Sequence, residues 1–226
     1  MSEKQVKSKQ RVAEHGEVFT AEREVKAMCD LVKDETERID SRFLEPACGE
    51  GNFLKEILTR KLGIVDKQYR RSAYDWERFS LLALGSIYGV DIMEDNAALC
   101  REGLYELWNK AYTAACGKEA CEETRASARY ILSRNIVCGN ALSLMCVDEN
   151  QTDTREPIIF SEWTFPFGDF RMQRKDYSFA ELLAAADSTA DIKRTGQISM
   201  FENEEGEIEP TLLRQYITHY RRISEE

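Results

Sequence analysis

Apolar residues recur along this chain at helical spacing in long segments and as short unbroken runs between them. Over residues 21–36, Val25, Met28, Cys29 and Val32 fall on one helical face. Thr20 is placed to cap that helix, and Glu22 and Glu24 stand in its first turn, where the helix dipole favours negative charge. The run at 43–45 predicts a short strand, and 52–62 a helix burying Phe53, Leu54, Ile57 and Leu58. Tyr69, Ala73, Trp76, Phe79 and Ala83 mark another helix ending near Gly85, ahead of a buried strand at 87–91. Residues 95–115 place Ala97, Cys100, Leu104, Leu107, Trp108 and Ala111 along one stripe, and a further helix is predicted over 119–132. Residues 136–138 predict a third strand and 157–161 a fourth. The alternation predicts an α/β layered fold with a mainly parallel sheet.

The last third reads differently. Ser178 and Glu181 fit a capping box for a short helix through Ala186. Residues 187–210 are polar and acidic, which predicts a linker, and 211–226 place Leu212, Leu213, Tyr216, Ile217 and Tyr220 as a small amphipathic helix with Arg214, Arg221 and Arg222 outside. The predicted organisation is a flexible N-terminus (1–14), one domain (15–186), the acidic linker (187–210) and the C-terminal helix (211–226).

Composition narrows the function classes. A net charge of −10 over 226 residues argues against this chain alone gripping a nucleic-acid backbone by broad electrostatics. The seven cysteines form no CxxC pair and there are two histidines, so no metal site is expected and the thiols read as small core residues of a reducing compartment. No window approaches a membrane span, and the polar start Met-Ser-Glu-Lys-Gln is not a signal sequence, so a cytoplasmic protein with no membrane contact is expected.

The segment Phe43-Leu-Glu-Pro-Ala-Cys-Gly-Glu-Gly-Asn-Phe-Leu54 carries the most chemistry: a strand ending in an acid, a glycine turn, then a helix. Gly49 and Gly51 let a ligand approach the backbone, and Glu45 at the strand's carboxyl end can accept from a cationic amino group. A pyrophosphate binder would favour a third glycine and no acid, so the loop suits a zwitterionic ligand. After the second strand, Asp91 offers a carboxylate that can accept from both hydroxyls of a ribose, and Ile92 can pack against an adenine face.

At the residue level this loop resembles the S-adenosylmethionine (SAM) loop of DNA adenine-N6 methyltransferases of restriction–modification systems, Asp/Glu-Pro-Ala-Cys-Gly-x-Gly-x-Phe. The resemblance implies SAM as cofactor, held by Glu45, Pro46, Ala47, Cys48, Gly49, Gly51, Asp91 and Ile92, in a Rossmann-like SAM-dependent methyltransferase fold. Upstream, His15-Gly-Glu-Val-Phe-Thr20 resembles the family's Gly-Glu-x-Phe-Thr-Pro, which implies that Thr20 closes over the methionine part; Ala21 replaces the proline. After the third strand, Asn140 stands where the family has an aspartate that accepts from the adenine amino group. An amide oxygen can do the same, and a plain Gly-Asn turn explains the segment equally well.

The resemblance breaks at the catalytic motif. The family's Asn/Asp/Ser-Pro-Pro-aromatic orients the target amino group and stacks the flipped base. Here Ser161-Glu162-Trp163 occupies the position without either proline. By resemblance these three are the catalytic candidates; the competing reading is a strand end with a core tryptophan. Too few residues follow for the family's remaining strands and target-recognition region, so the sheet is expected to be shortened after its fourth strand. DNA contact is then expected through a partner chain or an oligomer. The function expected first is methyl transfer to adenine in DNA with help from a partner; the alternative is a non-catalytic SAM-binding subunit or regulator. Separately, Gln197-Ile-Ser-Met-Phe201 resembles peptides that dock on the bacterial replication sliding clamp.

Overall fold

The protein is described from a computed structural model covering residues 20–188 and 210–225. The chain opens with α1 (Glu22–Leu31) and the single turn α2 (Lys33–Thr36), separated at Val32, whose φ of −121° is not helical. Ala21, not Thr20, is the N-cap, and no side chain caps the helix. Then follow β1 (Phe43–Glu45), α3 (Asn52–Tyr69), α4 (Ala73–Gly85) and β2 (Ile87–Asp91). Helix α3 runs past the expected end at Leu62 because Val65 continues its buried stripe across Gly63. A single interior glycine costs a helix only about 1 kcal/mol, less than that burial returns. Ser72 caps α4 by accepting from the Asp75 amide at 3.2 Å.

Helix α5 (Glu94–Cys116), a 3₁₀ turn (Gly117–Glu119), α6 (Glu122–Asn135) and β3 (Ile136–Cys138) complete the first half. A hairpin absent from the sequence reading comes next, β4 (Met145–Val147) with β5 (Asp153–Pro157). It is followed by β6 (Ile159–Thr164), β7 (Arg171–Ser178) and α7 (Phe179–Ser188). Ser178 Oγ accepts from the Glu181 amide, as the capping box predicts. The described chain ends with β8 (Arg214–His219) and a 3₁₀ segment (Tyr220–Glu225).

The fold is α/β, with the parallel part confined to β1–β2–β3, β2 in the middle and buried throughout. The fourth strand departs from expectation. It starts at Ile159, runs antiparallel to β7, and belongs to a separate sheet ordered β6–β7–β8. The physical reason lies between β3 and β6, where the chain forms a hairpin and no helix. A parallel neighbour needs a crossover of a dozen or more residues, usually helical. The C-terminal amphipathic helix is likewise corrected: Leu212 and Leu213 stand ahead of β8, Tyr216 and Ile217 on β8, and Tyr220 in the 3₁₀ segment. Alternation at Tyr216 and Thr218 lets β8 pair with β7, while Tyr220 and Ile223 insert into the main core.

Two cores result. The larger gathers α1 and α3–α6 with Ile87, Ile136, Trp163 and Tyr220. The smaller lies on the face of β2 that carries Tyr88 and Val90, covered by Ile158, Phe160, Tyr177, Phe179 and Leu182. Among the described residues, no helix is long and apolar enough to cross a membrane, and no cluster of three metal-ligating side chains occurs.

Candidate functional site

Parallel pairing of Glu45 with Gly89 brings the carboxyl ends of β1 and β2 side by side, the place where open α/β sheets hold ligands. The connecting loop, residues 46–51, is laced to β2. The Cys48 amide donates to the Val90 carbonyl at 2.9 Å, and the Gly49 amide donates to Asp91 Oδ2 at 2.9 Å. Gly49 and Gly51 both have left-handed backbones, with φ of 51° and 81°. Their surroundings differ. A Cβ on Gly49 would meet nothing within 4 Å, whereas one on Gly51 would lie 2.5 Å from Cys100 Sγ. Gly51 therefore lets α3 pack on α5, and Gly49 borders open space.

Asp91 is nearly buried and heavily used. Besides Gly49, it accepts at Oδ1 from the Met93 amide at 2.9 Å and from Asn96 Nδ2 at 3.3 Å. Three of a carboxylate's roughly four acceptor positions are thus engaged within the chain. One direction at Oδ2 has no partner among the described residues, and the three bonds make Asp91 an organiser of the loop. Glu45 is half-buried; desolvation pushes its carboxyl up, and the Ala47 amide opposes the shift. Pro46 and Ala47 are exposed. Cys48 is buried against Cys100, and the neighbouring thiol together with burial drives it far above the usual thiol range. Both cysteines are packing groups.

Asn140 stands one strand over, since Asp91 pairs with Cys138 and the Gly139 amide donates to the Asp91 carbonyl at 2.9 Å. Its Oδ1 accepts from the Leu142 amide and its Nδ2 donates to Asp153 Oδ1, each at 3.0 Å. Those bonds fix the turn into β4, so the turn reading accounts for the residue by itself. Ile92 is half-buried and its carbonyl faces the Cys138 thiol at 3.6 Å. Thr20 is exposed at the first described position. The rest of the 15–20 segment and Gln197–Phe201 lie outside the described residues.

The structure does not bring Ser161, Glu162 and Trp163 to this loop. Ser161 is fully buried; its hydroxyl donates to Asp176 Oδ1 at 2.6 Å, and Arg174 holds the same carboxylate at 3.1 and 3.2 Å. Trp163 is 3% exposed, donates from Nε1 to Asn135 Oδ1 at 3.3 Å, and lies edge-on to Tyr130. Its side chain packs on Gly85, where an added Cβ would sit 2.8 Å from the Trp163 Cβ and 2.9 Å from the ring. Gly85 precedes the amino end of β2, and the loop stands at the carboxyl end. Glu162 forms an ion pair with Arg42.

The sequence reading missed the supports of both regions. Asn96 and Cys100, on the first turns of α5, lock Asp91 and seat Gly51. Glu77, fully buried in α4, accepts from the Tyr112 and Tyr220 hydroxyls at 2.5 Å each and from Arg221 at 2.6 and 3.0 Å, tying the C-terminal segment to the body. Lys61 is also fully buried and donates to the carbonyls of Arg38, Ile39 and Ser41 at 2.9, 3.0 and 2.5 Å, fixing the approach to β1. An acid or a lysine at a helical core position was the visible signal for both. Comparison with protein-family models, curated proteins and solved structures finds no match to this chain.

Proposed function

We propose that this chain is a SAM-binding module of the DNA adenine-N6 methyltransferase type, with a Rossmann-like β1–β2–β3 core, and that it acts as a non-catalytic subunit or regulator of a restriction–modification or related defence system in the cytoplasm. The observation that carries the reading is the Gly49–Asp91 bond beside the open space over Gly49. A glycine backbone, a half-buried acid at Glu45 and one remaining acceptor direction on Asp91 meet at adjacent parallel strand ends. Those groups fit a ligand with a ribose at one end and a cationic amino group at the other. Glu45 would accept from the amino group, Asp91 from a ribose hydroxyl, and Ile92 would border the base. When bound, SAM supplies an electrophilic methyl group; this chain's residues bind and orient it.

Methyl transfer by this chain alone finds less support. Ser161 and Trp163 are enclosed, and a base cannot stack on a ring that already lies between Gly85 and Tyr130. DNA recognition and the acceptor site are assigned to a partner chain. The test is methylation of DNA with labelled SAM, by the chain alone and after Trp163→Phe substitution. No turnover by the isolated chain that binds SAM supports the subunit reading. Turnover that falls sharply in Trp163→Phe at unchanged SAM affinity overturns it.

A further inference from the structure

Strand β8 ends one side of its sheet, and among the described residues no strand pairs with its outer edge. The Tyr220 amide donates to the Phe170 carbonyl at 3.0 Å, in line with the Arg171–His219 register. Antiparallel strands alternate bonded and non-bonded pairs, so Thr218 and Tyr216 bond to β7. Gln215 and Ile217 consequently direct their N–H and C=O groups outward, as His219 does its N–H, while the His219 carbonyl opens the 3₁₀ segment. The register with β7 is unbroken from Arg214 to His219. The strand interior reads Gln-Tyr-Ile-Thr, without the lysine, proline, inward charge or bulge that keeps a natural edge unpaired. Beside it Leu213 and Ile217 are 46% and 42% exposed.

We propose that β8 is a dimerisation strand: two copies of this chain join edge to edge, β8 antiparallel to β8, about a two-fold axis at Ile217. A second copy fits because the edge is complementary to itself. With Ile217 on the axis, the Ile217 N–H and C=O groups of the two copies pair with each other, and the N–H of the partner subunit's His219 meets the Gln215 carbonyl. Ile217 meets Ile217 of the partner subunit as an apolar pair, and Arg214 lies opposite Tyr220 of the partner subunit, so no like charges stand directly across the seam. The two sheets become one, and an edge with open hydrogen-bonding groups becomes an interior pair. This inference is independent of the cofactor reading, because β8 shares no residue with the glycine loop.

Light scattering on the full chain across a concentration series tests it. The wild-type chain is expected as a dimer, and Ile217→Lys as a monomer with its circular dichroism unchanged, since residue 217 contributes a half-exposed side chain. Ile217→Cys should give a covalent dimer under mild oxidation, because directly opposed Cα atoms about 5.5 Å apart suit a disulfide. Gln173→Cys, beside Ile217 on β7 but away from the seam, should not. A wild-type monomer at every concentration, a dimer that survives Ile217→Lys, or a dimer in which Ile217→Cys forms no cross-link each overturns the proposal. Should Ile217→Lys fail to fold, the cross-linking pair decides alone.

Discussion

At the carboxyl ends of β1 and β2, polar groups face space; in the β6–β7–β8 sheet they face one another. Gly49 has nothing above its Cα, and Asp91 retains an acceptor direction after organising the loop. Ser161, by contrast, is closed into a network with Asp176, Arg174 and Arg134, and the Trp163 ring fills the gap left by Gly85. Buried polar groups that are fully satisfied rigidify a fold and have no capacity left for a ligand. Chemistry is therefore placed where hydrogen-bonding capacity remains, and the residue type at a strand end does not by itself decide this.

The contrast is broken most forcefully at Trp163. Trp163→Ala should cost about 3–5 kcal/mol of stability, the scale for removing a buried aromatic, with little effect on SAM affinity. Urea unfolding alongside calorimetry reads both quantities. A variant that keeps its stability but loses activity would move Trp163 out of the structural region and into the site. A smaller loss, about 1–3 kcal/mol, is expected from Gly51→Ala, where the new methyl group collides with Cys100 Sγ. Gly51→Ala paired with Cys100→Ala should recover part of that loss. Gly49→Ala should cost less stability, about 1 kcal/mol for a left-handed alanine, yet weaken SAM binding more. Equal effects of the two glycine substitutions on binding would remove the distinction between them.

Legibility followed the same division. The strands at 43–45, 87–91 and 136–138 coincide with β1, β2 and β3, because short apolar runs between long amphipathic helices leave few alternatives. The glycine loop was legible because left-handed backbone and an acid at a strand end are written in residue type. The roles of Gly51 and Asn140 were not. One depends on Cys100, 49 positions later, and the other on Asp153 across a hairpin. The 211–226 segment misled because Leu212, Leu213, Tyr216 and Tyr220 match helical spacing, whereas pairing with β7 selects the strand. Tertiary pairing overrode local pattern there, as a three- or four-residue apolar spacing in a short segment permits.

Lys61 adds a dependence on pH. Burial pushes the Lys61 ammonium down to about 7, against the pull of Asp40 and Glu35, with Arg38 adding to the depression. The three carbonyls it donates to favour the charged form and moderate the dependence. In the unfolded chain the same group holds its proton to about pH 10.4. Between those values the unfolded state binds more protons, so stability should rise as pH climbs from about 7 towards 10 and decline as pH returns. Lys61→Met should flatten that slope in chemical denaturation; an unchanged slope would assign it to other groups.

The central proposal is most directly tested by calorimetric titration of the purified chain with SAM, repeated on Asp91→Ala. Saturable binding at one site is expected, with Asp91→Ala weaker by about 1–3 kcal/mol because the Gly49, Met93 and Asn96 donors lose their acceptor and the ribose loses its own. A melting temperature that rises with SAM concentration should accompany it. No heat and no thermal shift at millimolar SAM, or affinity unchanged in Asp91→Ala, would contradict a cofactor site at the ends of β1 and β2.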